Sequence, residues 1–585
     1  MTTTCPGFTL PPRIPAHASS CESKQIALPV KVIFTDKKKR FNDAVAFEIK
    51  VNPDKQVIKE AHSAVLQAGQ DSQSLWNALS AQFVNTTAQG AMKTEISIMD
   101  MLRGVLDTRV AVMGRTVLNL TDAVSATLLG ACLRGGATAA ADSLASNGLR
   151  SLLDDLKEFR NTDGGYAWIV GMPSSPVVTA TLLERCAKVR MRCGSSFLTE
   201  DEVAAAVAYL DESVLSDKWQ YGKWCAWGQG VSLGQYLYVR SFYPAVGFNV
   251  KMPAEDKEAF VKSVKNYLFP SDSRGLNGKV FEKTLRLSTL ENIYSMRSGR
   301  DLLKGWGLPS ISTRSVLQSL EADVESLTQY AVSHPSGGIY YPNLVMPYRG
   351  LLSDEAYCHS LLCDLMENYK PEISDGIRLW LMLQKETQKW EANFSFVNAA
   401  ASIMNGSESM KNTSVLVLSK SYEKPYRDLK AAGNGFAISR SFQREADGGK
   451  MVDIAPGDTL RTGDRLVAKY SISNAENRSF VRVSVPHHGC LRPVDQLSGK
   501  IGWWLQPMSY AGGFFAPQGY REVRSDKTVY WFDSYPEEKS VITEEYFVTQ
   551  GGVFTSPVVE IESLYAPHYR ANGAYEEEFV SSSSR

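Results

Sequence analysis

The hydrophobic period of this chain changes near residue 415 from the 3.6-residue spacing of helices to the two-residue alternation of strands. A segment patterned for one period cannot bury its apolar side chains in the other, so the switch divides the chain into a helical part and a β part. From about residue 61 to 410 the helical spacing recurs. Thr199 and Glu202 form a capping box ahead of Val203, Val207, Leu210 and Val214, which share one face. Phe260, Val264 and Tyr267 repeat the spacing, as do Val316, Leu320, Val324 and Leu327. Ser353 precedes a helix with Tyr357, Leu361 and Leu365, and Ser374 is expected to open another with Ile377, Trp380 and Leu381. Gly- and Pro-rich connectors lie at 161–165, 171–176, 334–338 and 341–347. Amphipathic helices separated by such loops predict a closed or stacked array of helical hairpins.

After 415, Leu466, Ala468, Tyr470 and Ile472 alternate with polar positions, as do Val481, Val483 and Val485. Further strands are expected at 527–533, 540–549 and 553–561, which together predict an antiparallel β-sandwich. A shorter β hairpin is read at 30–60, with Val30, Val32 and Phe34 against Val45, Phe47, Ile49 and Val51. Two strands cannot bury a core, so its partner surface must lie elsewhere. The expected divisions are a disordered lead at 1–25, a short β segment at 26–60 left from a preceding β domain, helices at 61–410, a sandwich at 411–575 and a solvated tail at 576–585. The fold class is multidomain α + β.

With 585 residues the chain is too long for one ordinary core. Its 63 basic and 63 acidic residues cancel, which leaves no electrostatic footprint for nucleic acid. No stretch approaches the roughly 18 apolar residues that cross a bilayer, and no signal peptide is visible at the N-terminus. The nine cysteines are scattered without the spacing of a disulfide framework.

No constellation reads as catalytic or metal-binding, and no cofactor is expected. Gly230-Val231-Ser232-Leu233-Gly234 matches the nucleophile elbow of hydrolases, but an elbow needs a strand before it. Lys223–Gln229 is not β-branched, so Ser232 reads as a helix-start residue. His487, His488 and Cys490 lack a second cluster that would complete a tetrahedral zinc site, and Cys358, His359 and Cys363 fare no better. Asp154-Asp155 and Asp354-Glu355 are neighbours that diverge on a helix, and a helix start attracts acids anyway. The aromatics are denser. Asp163-Gly164-Gly165-Tyr166-Ala167-Trp168 is a tight turn carrying two rings, and Trp219, Tyr221, Trp224 and Trp227 crowd a second region. Rings of this size usually pack between helices. Asp163, Tyr166, Trp168, Trp224 and Trp227 are the one candidate binding surface.

Asp163–Trp168, followed by Met172–Ala187, resembles the α/α-toroid of bacterial alpha-2-macroglobulins, as do Gly338–Asn343 and Ile377–Gln384. Gly552-Val553-Phe554-Thr555-Ser556-Pro557 with Glu562-Ser563-Leu564-Tyr565-Ala566-Pro567 resembles the end of that family's C-terminal macroglobulin domain. The likeness is to the versions in the cell envelope of the Bacteroidetes group. It implies a terpenoid-cyclase-like toroid followed by a macroglobulin β-sandwich, and endopeptidase inhibition by trapping a protease, without enzymatic turnover. It also implies a periplasmic or cell-envelope location, and preceding macroglobulin domains as possible partners of a C-terminal or truncated piece. A reactive thioester needs Cys-x-Glu-Gln, and none of the nine cysteines is followed by x-Glu-Gln. Met346–Gly350 echoes the flank of such a site without its reactive residues. Trapping is therefore expected to be non-covalent. The alternatives are an α/α-toroid enzyme of the terpenoid cyclase or polysaccharide-processing type, which would need convergent carboxylates around a cavity, and a non-catalytic envelope scaffold.

Overall fold

The computed structural model describes residues 26–35, 42–51, 54–111, 116–216, 231–270, 280–309, 312–334, 336–342, 344, 355–387, 395–446, 449–454, 458–476, 478–501, 519–535, 539–575 and 579–582. The chain forms two compact units: residues 64–76 with 94–417, and residues up to 63 with 77–93 and 418–585.

The first unit is helical. Twelve of its helices are α1 (Ile98–Ala111), α2 (Val117–Leu144), α3 (Asn147–Lys157), α4 (Pro176–Cys193), α5 (Glu200–Ser216) and α6 (Leu233–Ser241), then α7 (Ala254–Leu268), α8 (Val280–Ser295), α9 (Thr313–Thr328), α10 (Glu355–Met366), α11 (Pro371–Thr387) and α12 (Phe396–Met404). The even-numbered helices form an inner ring. α2 packs on α4, α4 on α6, α6 on α8, α8 on α10 and α10 on α12, and α12 closes back onto α2 and α4. The odd-numbered helices lie outside: α3 on α2, α5 on α4 and α6, α7 and α9 on α8, and α11 on α10 and α12. This is an α/α-toroid.

Burial follows from position in the ring. α9 buries one stripe, Val316, Leu320, Val324 and Leu327, while its other positions face outward. Each such aliphatic contributes about 2 kcal/mol when fully covered. Inner helices are covered over most of their surface, apart from the second half of α2. α4 is buried continuously from Val177 to Val189, charged Glu184, Arg185 and Lys188 included. The capping box forms as read, with Glu202 N–H donating to Thr199 Oγ1 at 3.2 Å and Thr199 N–H to Glu202 Oε2 at 2.9 Å. On α7 the stripe is Phe260, Val264 and Leu268, with Tyr267 half-buried beside it. α11 starts at Pro371 and not at Ser374, because proline suits a first helical position whose N–H would be unpaired anyway. Ser374 lies inside the helix and donates to Cys363 O.

The second unit holds the sandwich. One sheet orders its strands Met451–Asp453, Phe436–Glu445, Arg465–Asn474, Lys539–Val548 and Leu491–Pro493. The other contains Gly519–Val523, Lys527–Tyr535, Arg478–Pro486 and Glu560–Ser563 as consecutive antiparallel neighbours. Their inner faces supply one core of Leu466, Ala468, Tyr470, Ile472, Val481, Val483 and Val485. The strand expected at 553–561 is two, Gly552–Phe554 and Glu560–Ser563, because Ser556-Pro557 interrupts the ladder. The expected tail at 576–585 is also corrected. Phe579–Ser582 pairs antiparallel with Gly552–Phe554 and parallel with Thr459–Arg461, since Phe579 and Val580 carry strand character that the flanking serines hide.

Ile26–Thr35 and Asn42–Val51 form the expected hairpin, with Val30 opposite Phe47 and Val32 opposite Val45. The following strand, Lys55–Leu66, begins within the sandwich unit. Val558 N–H donates to Gln56 Oε1 at 2.9 Å across 502 positions of chain, and Ile58 packs with Tyr426, Leu429 and Val558. Residues 77–93 also belong here and not with the helices. Asn85 exchanges two 2.8 Å hydrogen bonds with the backbone of Lys430.

Candidate functional site

The Asp163–Trp168 turn is built by its own side chains. Asp163 Oδ1 accepts from Gly165 N–H at 2.9 Å and from Ser174 Oγ at 2.7 Å. Asn161 Nδ2 donates to Met172 O and Ser174 Oγ, both at 2.9 Å. Gly164 has φ +87°, and a Cβ there would stand 2.6 Å from Ala205 O, so only glycine fits. The turn drives Tyr166 into the core at 1% exposure, where its N–H meets Thr179 Oγ1 at 2.9 Å. Tyr166 is therefore a packing residue with no ring to offer a ligand. Trp168 is half-buried against the helical core, and Asp163 is exposed but committed to the turn. Ile169, Val170 and Met172 continue the loop with exposed side chains. Trp219, Tyr221, Trp224 and Trp227 lie outside the described residues, as do Asp354 and Met346–Gly350.

Sequence reasoning passed over the polar side chains that meet inside the ring. Glu184 on α4 accepts from Tyr357 Oη of α10 at 2.9 Å and from Asn398 Nδ2 of α12 at 2.6 Å. One turn on, Lys188 ion-pairs with Asp364 of α10. Asp364 also accepts from Arg192 at 3.2 Å and from Ser402 Oγ of α12 at 2.7 Å. Glu367 accepts from Arg378 of α11 at 2.7 Å. Burial pushes Asp364 upward, yet Lys188 and Arg192 outweigh it and hold the carboxyl below its ordinary value. Burial dominates at Glu184 and raises it despite Lys188 and the two hydrogen bonds. Glu291 of α8, bonded to Asn368, is pushed up to about 7 by burial and by the nearby Asp364 and Glu367. Glu184, Lys188 and Arg192 recur at i, i+4, i+8, a signal visible in sequence. Carboxylates thus converge inside the ring, but each is occupied by a cation or a donor. The arrangement fastens inner helices together, and among the described residues these carboxylates are engaged by cations and donors rather than left as a free acid–base pair.

The remaining motifs find structural places. Ser232 caps α6, accepting from Gln235 N–H at 3.2 Å while Gln235 Oε1 accepts from Ser232 N–H at 3.3 Å. Gly234 is required because Tyr267 Oη lies 2.2 Å from where a Cβ would stand. His359 is fixed as a neutral tautomer: Nδ1 donates to Glu355 O at 2.8 Å and Nε2 accepts from Tyr341 N–H at 3.0 Å. Burial lowers it to about 4. His487 and His488 stand where the strand Arg478–Pro486 gives way to a turn, His487 bonding Thr528 and His488 meeting the Phe442 ring edge-on. Asp154 and Asp155 are exposed near the end of α3, not at its start, and Asp154 pairs with Lys157. Among the described residues no group of three or more His, Cys, Asp or Glu is placed to hold a metal ion.

A helical ring together with an antiparallel sandwich defines a two-unit protein whose polar interior binds itself. Residues 435–568 match the family model of the bacterial alpha-2-macroglobulin MG10 domain. A search of the curated proteins finds no match. Among solved structures, native Escherichia coli alpha-2-macroglobulin from domain MG7 to the C-terminus is 14% identical with a TM-score of 0.34, covering 92% of this chain and 84% of that one. The cryo-EM reconstruction of native E. coli alpha-2-macroglobulin is also 14% identical with a TM-score of 0.32, covering 96% of this chain and 35% of that one. E. coli alpha-2-macroglobulin activated by porcine elastase is 14% identical with a TM-score of 0.32, covering 94% of this chain and 49% of that one. The chain thus spans about a third to a half of those longer relatives. These likenesses are distant, and the ring and sandwich stand on the chain's own packing.

Proposed function

We propose that this chain takes part in protease binding as a non-covalent member of the alpha-2-macroglobulin type, enclosing or holding its target without turning it over. The observation that carries the reading is the MG10 match at 435–568 in a chain whose nine cysteines all lack a following x-Glu-Gln. Without that cysteine and glutamine no thioester ring can close, so no acyl bond to a protease can follow. The mutually paired carboxylates of Glu184, Asp364 and Glu367 support a binding role over a catalytic one. A cell-envelope location and upstream macroglobulin domains as working partners belong to the same proposal.

Porcine elastase activates the E. coli relative, which makes elastase the first protease to test on this chain. Purified chain mixed with elastase should co-elute on gel filtration, separate fully in SDS, and incorporate no labelled methylamine. Failure to co-elute would overturn binding. An SDS-stable adduct would overturn the non-covalent mode.

A further inference from the structure

Two cysteines from different inner helices face one another. Cys132 lies on α2, and Cys193 is the last residue of α4. The Cys132 thiol points to the carbonyl of Arg192, the residue before Cys193, at 3.4 Å. The Cys193 thiol points to the carbonyl of Leu128, one turn before Cys132, at 3.7 Å. Each thiol is thus bonded to the backbone of the other's helix, within one turn of the other cysteine. Elsewhere in the ring, Cys186 and Cys363 are turned instead to the hydroxyls of Ser196 and Ser374, at 3.2 and 3.3 Å.

We propose that Cys132 and Cys193 are a disulfide-forming pair that staples α2 to the end of α4 when the chain meets a disulfide oxidant. The local backbone is suited to the small approach a sulfur–sulfur bond needs. α2 leaves helical geometry at Gly135 and Gly136, three and four residues beyond Cys132, and α4 ends at Cys193 with Gly194 left-handed at φ 68°. Neither cysteine is therefore clamped by regular helix on both sides.

Access decides the order of events. Cys132 is half-buried, whereas Cys193 is fully buried, and burial beside Cys132 holds the Cys193 thiol well above the ordinary range. Cys132 as thiolate attacks one sulfur of the incoming disulfide, and one thiol leaves with the electron pair of the broken bond. Cys193 then gives up its proton and attacks the Cys132 sulfur of the mixed disulfide, expelling the second thiol. Two protein thiols and one small disulfide become one protein disulfide and two small thiols. The small disulfide is the two-electron acceptor.

The full chain, reduced and then incubated with glutathione disulfide, should lose about 2 Da and yield a peptide joining Cys132 to Cys193. Its thermal midpoint should rise, and dithiothreitol should reverse the rise. Cys193→Ser should stop at the mixed disulfide and retain glutathione on Cys132, while Cys132→Ser should neither lose the mass nor gain the midpoint. Recovery of both cysteines singly alkylated after oxidation, or glutathione stably held on Cys132 in the unsubstituted chain, would overturn the proposal.

Discussion

Tyr357 Oη donates to Glu184 Oε2 across 2.9 Å, joining an inner helix near the start of the ring to one near its end. Lys188 and Asp364 add a second junction between the same two helices, one turn on along α4 and two along α10. The interior of the ring is held by polar contacts between segments far apart in sequence, in addition to its apolar packing.

Breaking that second junction should be costly. Lys188→Met leaves Asp364, 16% exposed, with Arg192 as its remaining cation, and losing one partner from such a largely buried hydrogen-bonded group costs about 1–3 kcal/mol. Urea denaturation followed by helical circular dichroism should show the drop. A loss below about 1 kcal/mol, the range of surface pairs, would show that the pair contributes little.

Stability should depend on pH in two opposite ways. Asp364 is held below its ordinary value, so its contribution is present above the unfolded carboxyl value of about 3.9 and is lost as pH falls through the folded value. Glu291 is raised to about 7, so its contribution is complete below the unfolded value and is lost as pH rises through about 7. Melting curves from about pH 2 to pH 8 should decline at both ends, the alkaline decline centred near 7. Glu291→Gln should flatten that decline without altering the acid limb.

Ser232→Ala should remove the capping box of α6 and cost about 1 kcal/mol. No esterase activity in the purified chain should depend on this residue. A hydrolase activity abolished by the substitution would restore the nucleophile reading.

Gly164→Ala should destabilise the helical unit by about 1–3 kcal/mol, the scale of a residue forced into an unfavourable backbone region. Its Cβ would also press on Ala205 O. Because Asp163 fastens the same turn, Asp163→Ala should lose part of that amount, and the two losses should not add. Thermal unfolding of the single and double variants checks both points.

The period switch and the outer stripes were legible because an exposed helix must segregate its faces, as Val316–Leu327 does. The inner helices were not, since α4 is covered all round and polar residues there carry no sign of their depth. Glu184, Lys188 and Arg192 stood at helical spacing in the sequence, but Asp364, which makes sense of Lys188, lies 176 residues away. Local chemistry misled at Ser374, where Pro371 had already begun the helix, and at Phe579–Ser582, where a serine run masked a strand. Of the candidate surface, Tyr166 is buried, while Trp224 and Trp227 lie outside the described residues. Large rings such as Tyr166 are driven inward by the same turn that makes them conspicuous.

Gln56 and Val558 belong to one unit although the helices are encoded between them. During synthesis, all of 94–417 emerges before the main β portion at 418–585 exists. The ring can therefore assemble while the ribosome is still at work, whereas Lys55–Ser63 must wait, with its apolar Ile58 uncovered, for the last part of the message to be read. Stalled translation would release the ring with that strand unpaired, an exposed edge of the kind that favours aggregation.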